Sequence, residues 1–445
     1  MEKKYTVCIA GGGSRYTPGI LDTLAAEMYR FPIGKIILYD IEEERQDRVE
    51  VYGKILMKDY CPECEVTATT DKKEAFTGVD FVFMQIRTGR IPMRQLDEKI
   101  ALKHGCIGQE TCGPGGFAYG MRSIGDFIEL VKDIRTYAPE AWILNYTNPA
   151  ALIAEATRVV YPNDRRIINI CDMPIELLSL FGYFLGKDKK ELTSEYYGLN
   201  HFGWFTSIRD KETGTELIPI IRDYLKSHEI DLAPLGLDAD WTMTAEAELK
   251  MIRETDEYLP NNYLQYYLHP KDSFSHMNPD HTRADQILEV DEPRFLHMID
   301  EVEKAGNIKG TEYERNVENT DGHADYIVDL AMAIAEDTGE DFILMTENKG
   351  VVPNLSQDMM IEVRCRVDRD GAHPYPMKEA DTFRKGLLEN QHAYEKLTVE
   401  ACLEGSYTKA LQALTLNRCV NDWDTAKALL DDYIVANKDY WPELK

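Results

Sequence analysis

A cysteine and an aspartate stand side by side at Cys171-Asp172, where the apolar run "RIINIC" gives way to "DMPIELL". The run reads as a short buried strand, and Met173-Pro174 opens a helix. A thiol beside a carboxylate at a strand tip can grip a metal ion or pass a proton to a ligand. His201, in "GLNHFGW", stands on a second strand-like run 30 residues further on. No two of the ten histidines form an HxH or HxxxH pair, so no local spacing announces a metal site. Two readings stay open: a shared cation, or a buried cysteine and a hydrogen-bonded core histidine.

A second cluster opens the chain. "CIAGGGSRYTPGIL" follows the strand "YTVCIA" and starts a helix. Gly11 and Gly13 fit the opening of a dinucleotide fingerprint, in which the backbone approaches a pyrophosphate at a helix N-terminus. Ser14 and Arg15 complete the cofactor-binding set, while Tyr16 occupies the position of the expected third glycine. Asp40 ends the next strand, 27 residues after Gly13, where an acid suits the ribose hydroxyls of NAD rather than NADP. A glycine turn serving only strand–helix packing is the alternative.

These residues need a scaffold. Apolar, β-rich runs at 5–10, 35–40, 64–70, 80–86, 141–146 and 166–171 alternate with amphipathic segments. One such segment, Thr17–Arg30, reads as a helix with Thr17 as N-cap and Pro18 at its first position. The alternation predicts an α/β fold with an N-terminal Rossmann-like parallel sheet. Near residue 195 the pattern changes to "YYGLNHFGWFTSIRD" and then to charged helical stretches at 240–257 and 378–397. The expected division is a nucleotide-binding part over 1–195 and a substrate, metal and oligomerisation part over 196–445.

Composition excludes several function classes. Fifty basic against 78 acidic residues give a net charge of −28, a field that repels nucleic acid. An anionic substrate would need a local cationic pocket. No apolar run of about 18 residues suggests a membrane span, and "MEKKYTVCIAGGG" enters a strand without a signal-type segment, so a cytoplasmic protein is expected. Nine scattered cysteines make no disulfide framework, and "CPEC" (61–64) reads as packed or solvent-facing thiols rather than a zinc or redox site.

The motifs "GGGSRYTPGI", "IRTGRIPMRQLDEKIALKHGCIGQETCGPGG", "NYTNPA", "ICDMP", "GLNHFGW", "YLQYY" and "DHTRADQ" run in order from Gly11 to Gln286. Together they resemble the NAD- and divalent-metal-dependent glycoside hydrolases of family four, which depart from the two-carboxylate scheme of most glycosidases. "CDMP" is similar to the tetrapeptide of the 6-phospho-α-glucosidase branch, of the maltose 6′-phosphate glucosidase type. Asparagine in place of Asp172 would point to the 6-phospho-β-glucosidases. The resemblance implies a C-terminal α+β domain of the lactate/malate dehydrogenase type and assembly as a homodimer or homotetramer.

The same resemblance implies the chemistry: transient oxidation at sugar C3 by NAD, removal of the C2 proton, elimination of the leaving group, water addition and re-reduction. It makes Cys171 and His201 the metal ligands and Asp172 the general acid, whose ordinary pKa of about 3.9 would have to be raised. Without the resemblance, helix capping explains Asp172 equally well. Tyr263 becomes the C2 base, needing a nearby positive charge to ionise, with Glu110 assisting and Tyr266 and Tyr267 as fallbacks. Arg94, Asn148 and Arg283 match substrate-contacting positions for a phosphorylated disaccharide, while Arg87 and Arg90 also read as solvated arginines. Mn2+ is the implied metal, although thiolate plus imidazole would by softness favour zinc or cobalt. An NAD-dependent oxidoreductase of the malate dehydrogenase type is the rival enzyme, and a catalytically silent NAD-responsive binding protein is the rival outside catalysis.

Overall fold

The computed structural model describes residues 3–235, 239–254, 258–314 and 322–445. Six strands, β1 Tyr5–Ala10, β2 Ile33–Tyr39, β3 Glu65–Thr69, β4 Phe81–Met84, β5 Trp142–Asn145 and β6 Ile167–Asn169, form a parallel array. Their order, 3-2-1-4-5-6, reverses direction between β1 and β4. Such a switch leaves a crevice beyond the carboxyl ends of the strands, where ligands bind. These are the six apolar runs of the sequence: β1 keeps its expected bounds, β2 begins two residues earlier at Ile33, and the other four are shortened at their ends. β1, β4 and β5 are buried along most of their length because helices cover both faces.

The sheet then continues with antiparallel strands. β7 Leu192–Leu199 and β8 Phe202–Asp210 make a hairpin, and β9 Leu259–Pro260 lies against β8. β10 Glu340–Glu347 joins β6, β11 Met360–Asp368 joins β10 to β7, and β12 Gly371–Pro374 folds back on β11. Twelve strands thus form one sheet, and residue 195 lies inside β7. The C-terminal helices Thr382–Glu404, Tyr407–Leu416 and Trp423–Ala436 return to pack on the helices Arg90–Lys103, Gly113–Tyr137 and Ala150–Val160, sharing a core with Cys8, Val82 and Ile143.

Two helix expectations need correction. The first helix runs from Thr17 to Ala26, and its N-cap is Tyr16 rather than Thr17. The Thr17 hydroxyl is taken by Gln85 Nε2 at 2.9 Å and reaches the Gly11 carbonyl at 3.4 Å, so it fastens the glycine loop instead of capping. The charged pattern at 240–257 is helical as Ala239–Glu254, and 255–257 lie outside the described residues. The pattern at 378–397 becomes the helix Thr382–Glu404, capped by the Asp381 carboxylate.

One buried ion pair ties the helices behind the crevice together. Arg122, in the helix Gly113–Tyr137, makes a two-pronged bond to Asp97 in the helix Arg90–Lys103 and another to Asn437 Oδ1 at 2.6 Å. Both charges are almost wholly out of water. Removing one partner strands the other, so Asp97→Ala is expected to cost about 3–5 kcal/mol in denaturant unfolding. A loss under about 1 kcal/mol, the range of an exposed pair, contradicts that role.

Candidate active site

Cys171 follows β6 by two residues and is buried, its sulfur beyond the strand's carboxyl end. His201 occupies the turn between β7 and β8 with φ of +60°, a left-handed conformation that a residue with a side chain enters at a cost. The turn is pinned by Asn200 Nδ2, which donates to Glu362 Oε1 at 3.0 Å. This geometry brings Cys171 Sγ within 3.4 Å of His201 Nε2. The other imidazole nitrogen, Nδ1, meets Thr111 Oγ1 at 3.2 Å.

The pair suits a cation. Burial pulls the His201 imidazole down to about 4, so it stays neutral and keeps a lone pair to give. Burial, then Asp172 and Glu362, pushes the Cys171 thiol well up, so ionisation there calls for a positive partner. One first-row divalent ion at about 2.1–2.3 Å from each donor spans their separation. Among the described residues no group of three or more His, Cys, Asp or Glu side chains could hold a metal. Cys171 and His201 are two donors, fewer than the four that close a structural zinc site.

Asp172 stands at the N-cap of the helix Met173–Leu185, yet its side chain makes no capping bond. Its Oδ2 lies 2.9 Å from His323 Nδ1. The expected upward shift is overturned: burial pushes the carboxyl up, but the imidazole and its hydrogen bond outweigh burial and hold it below the usual range.

Tyr263 follows β9, which lies on the same hairpin as His201, and its ring packs on the imidazole with centroids 4.1 Å apart. Tyr266 and Tyr267 are buried behind it. Burial, then Tyr266, Cys112 and Glu110, push the Tyr263 phenol well above its ordinary value, so ionisation there calls for the positive charge that a metal ion would supply. Glu110 is clamped by Arg87 and Arg94, each at 2.8 Å. Burial raises its carboxyl, but the two arginines draw it down to about 2.

Arg94 also donates to Glu98 at 2.6 Å, and Glu98 accepts the Ala284 amide at 2.9 Å. One buried carboxylate thus seats Arg94 beside the helix start that carries Arg283, itself 3.6 Å from Asp291. Arg87 is part of the clamp rather than solvated, whereas Arg90 is exposed on Glu42. Asn148 accepts the Ala150 amide at 3.2 Å. The "CPEC" thiols of Cys61 and Cys64 are buried, with pKa values raised by burial.

The glycine loop is drawn tightly onto the sheet. A Cβ on Gly11, whose φ is +90°, would fall 2.6 Å from the Gln85 carbonyl oxygen, so only glycine fits. Asp40 accepts the Gly13 amide at 2.9 Å and the Glu42 amide at 3.1 Å, holding the loop in place. Ser14 Oγ accepts the Tyr16 amide at 3.3 Å, and Arg15 reaches Asp291 at 2.9 Å. The helix Thr17–Ala26 lacks a side-chain cap; Pro18 has no amide hydrogen, and the Thr17 and Ile20 amides donate to the Ser14 and Tyr16 carbonyls. Sequence reasoning missed Thr111, Glu98, Arg45 and His323. Arg45 Nε donates to the Gly13 carbonyl at 2.5 Å, a contact that no local spacing signals.

The sequence profile of the family 4 glycosyl hydrolases matches residues 6–181, and that of the family 4 glycosyl hydrolase C-terminal domain matches 196–420. The phospho-alpha-glucosidase PagL of Clostridium acetobutylicum is 54% identical over 444 residues, 99% of this chain and 100% of that protein. The maltose-6′-phosphate glucosidase of Bacillus subtilis is 44% identical, covering 100% of this chain and 98% of that one. A 6-phospho-alpha-glucosidase from gut microorganisms, solved with NAD and Mn2+, superposes with a TM-score of 0.96 at 43% identity over 100% of both chains. Another, holding NAD and glucose-6-phosphate, gives 0.93 at 38%, again over 100% of both.

The Thr111 contact generates a test. Thr111→Val frees His201 Nδ1 without touching either donor atom, and a lost outer partner weakens metal sites about 10–100-fold. Mn2+ titration followed by electron paramagnetic resonance is expected to show that loss. An unchanged affinity contradicts the assignment of His201 as a ligand.

Proposed function

The chain belongs to the family 4 glycosyl hydrolases, and on that footing we propose that its cleft hydrolyses 6-phospho-α-glucosides such as maltose 6′-phosphate. The observation that carries this reading is the pairing of Cys171 with His201 within 3.4 Å, on the same sheet as a glycine loop shaped for a pyrophosphate. NAD and a divalent ion, Mn2+ in a solved relative, fit these residues. When bound, the dinucleotide supplies a reversible hydride acceptor and the ion a Lewis acid toward sugar oxygens.

The chain's own residues do the rest. Cys171 and His201 would hold the ion, and Thr111 steadies the His201 ring through Nδ1. Tyr263, packed against that ring, takes the C2 proton. Asp172 delivers a proton to the departing glycosidic oxygen, a role that requires bound substrate to exclude water and raise the carboxyl from the low range in which His323 holds it. Glu110 is a stable anion beside Tyr263, kept ionised by Arg87 and Arg94. Arg94, Arg283 and Asn148 orient the phosphorylated sugar, and Gly11, Gly13, Ser14, Arg15 and Asp40 seat the dinucleotide.

The same reading assigns the cofactor site to 1–195 and the substrate, metal and oligomerisation surfaces to 196–445. It places the enzyme in the cytoplasm, which the nine free, buried cysteines support. Exposed Phe383, Trp423 and Val435 on the C-terminal helices supply apolar surface for a homodimer or homotetramer. Among the described residues no helix is long and apolar enough to cross a membrane.

Two outcomes are expected with p-nitrophenyl α-glucoside 6-phosphate. Cleavage requires both NAD+ and Mn2+ and leaves no net NADH; steady NADH accumulation with substrate would instead mark an ordinary dehydrogenase. Asp172→Asn loses about 10²-fold or more on maltose 6′-phosphate, whose leaving group needs a proton, and far less on the nitrophenyl substrate. Equal losses on both remove the acid role.

A further inference from the structure

Asp172 can act as a proton donor only if its carboxyl is aimed. It makes no capping bond, and among the described residues His323 is the one side chain hydrogen-bonded to it. His323 is itself held firmly. Its ring stacks on Tyr146, with centroids 3.9 Å apart and planes 21° apart, and leans on Tyr16 of the glycine loop at 4.8 Å. Its carbonyl accepts the Tyr146 hydroxyl at 3.0 Å. On its N-terminal side the Glu176 carboxylate, from the helix that Asp172 opens, lies over Gly322, where a Cβ would fall 1.8 Å from Oε1. An imidazole fixed by two rings and a helix start is a rigid post, and one carboxylate oxygen bonded to it leaves the other to face the cleft.

We propose that His323 is the positioning residue of the glycosidase, fixing the Asp172 carboxyl for proton delivery to the leaving group. This rests on the reading of Asp172 as the acid. A misaimed catalytic group costs rate only in the step it serves. His323 therefore governs the cleavage of poor leaving groups, leaving earlier steps alone. It acts through Asp172, so its effect vanishes when Asp172 no longer donates a proton.

The test uses the full chain with NAD+ and Mn2+. His323→Phe keeps a ring between Tyr146 and Tyr16 but removes the bond to Asp172; His323→Asn keeps a donor. His323→Phe is expected to lose about 10–100-fold in kcat on maltose 6′-phosphate. On p-nitrophenyl α-glucoside 6-phosphate, Mn2+ affinity and exchange of the sugar C2 proton with D2O, it should stay within about threefold of the parent. His323→Asn should recover part of the loss, and His323→Phe should add none in an Asp172→Asn background. No loss on maltose 6′-phosphate, equal losses on both substrates, or a further loss in the Asp172→Asn background overturns the proposal. If Asp172→Asn alone fails to separate the two substrates, the acid reading falls, and the proposal with it. Where His323→Phe does not fold, His323→Leu, which also lacks a donor, against Asp172→Asn carries the same comparison.

Discussion

Two donor atoms 3.4 Å apart, the sulfur of Cys171 and Nε2 of His201, set the terms for the rest of the molecule. They come from strands that are not neighbours: β10 and β11 lie between β6 and β7 in the sheet. Bringing them together takes a hairpin whose tip reaches back over the carboxyl ends of the parallel strands, with a histidine in the left-handed region at that tip. Such a backbone state costs about 1–3 kcal/mol and persists only when its surroundings over-determine it. Here they do, through Glu362 on Asn200, Thr111 on Nδ1 and Tyr263 on the ring face. Burial pushes Glu362 up to about 8, so at neutral pH it pins the turn largely as a neutral acid.

Electrostatics complete the site against the protein's own charge. A net charge of −28 opposes any phosphorylated ligand. The chain answers with arginines gathered behind the cleft, but two of them are committed: Arg87 and Arg94 are balanced by Glu110 and Glu98. That cluster is a rigid, nearly neutral wall more than a free cationic patch. Its use is to hold Glu110 ionised and to seat the helix that begins at Arg283. Around Cys171 and His201 the logic differs, with a neutral imidazole and a reluctant thiol beside a carboxyl held low by His323, an arrangement that a cation would satisfy.

The parallel half of the fold was legible because each strand is a short apolar run bounded by turn residues, and burial on both faces demands that pattern. The glycine loop was legible for the same local reason. The antiparallel continuation was visible only as the strand-like run "YYGLNHFGWFTSIRD", since the pairing of β10 and β11 with β6 and β7 joins segments more than 100 residues apart. Cys171 and His201 could be suspected one by one, but their meeting is a product of topology that spacing does not encode. Thr17 was misread as a cap because its competition with Gln85 depends on a strand 68 residues away. His323 carried no local signal at all: its role follows from helix Gly322–Glu336 docking where Asp172 begins another. The downward pull on the Asp172 carboxyl was hidden for that reason.

The most direct test of the central claim is optical. Co2+ bound by a thiolate shows a sulfur-to-metal charge-transfer absorption that nitrogen and oxygen ligands do not produce. Titrating Co2+ into the full chain is predicted to raise that band at one equivalent, and Cys171→Ser is predicted to abolish it while other cysteines remain. A band that survives in Cys171→Ser, or no band in the parent protein at saturating Co2+, would contradict a cation shared by Cys171 and His201.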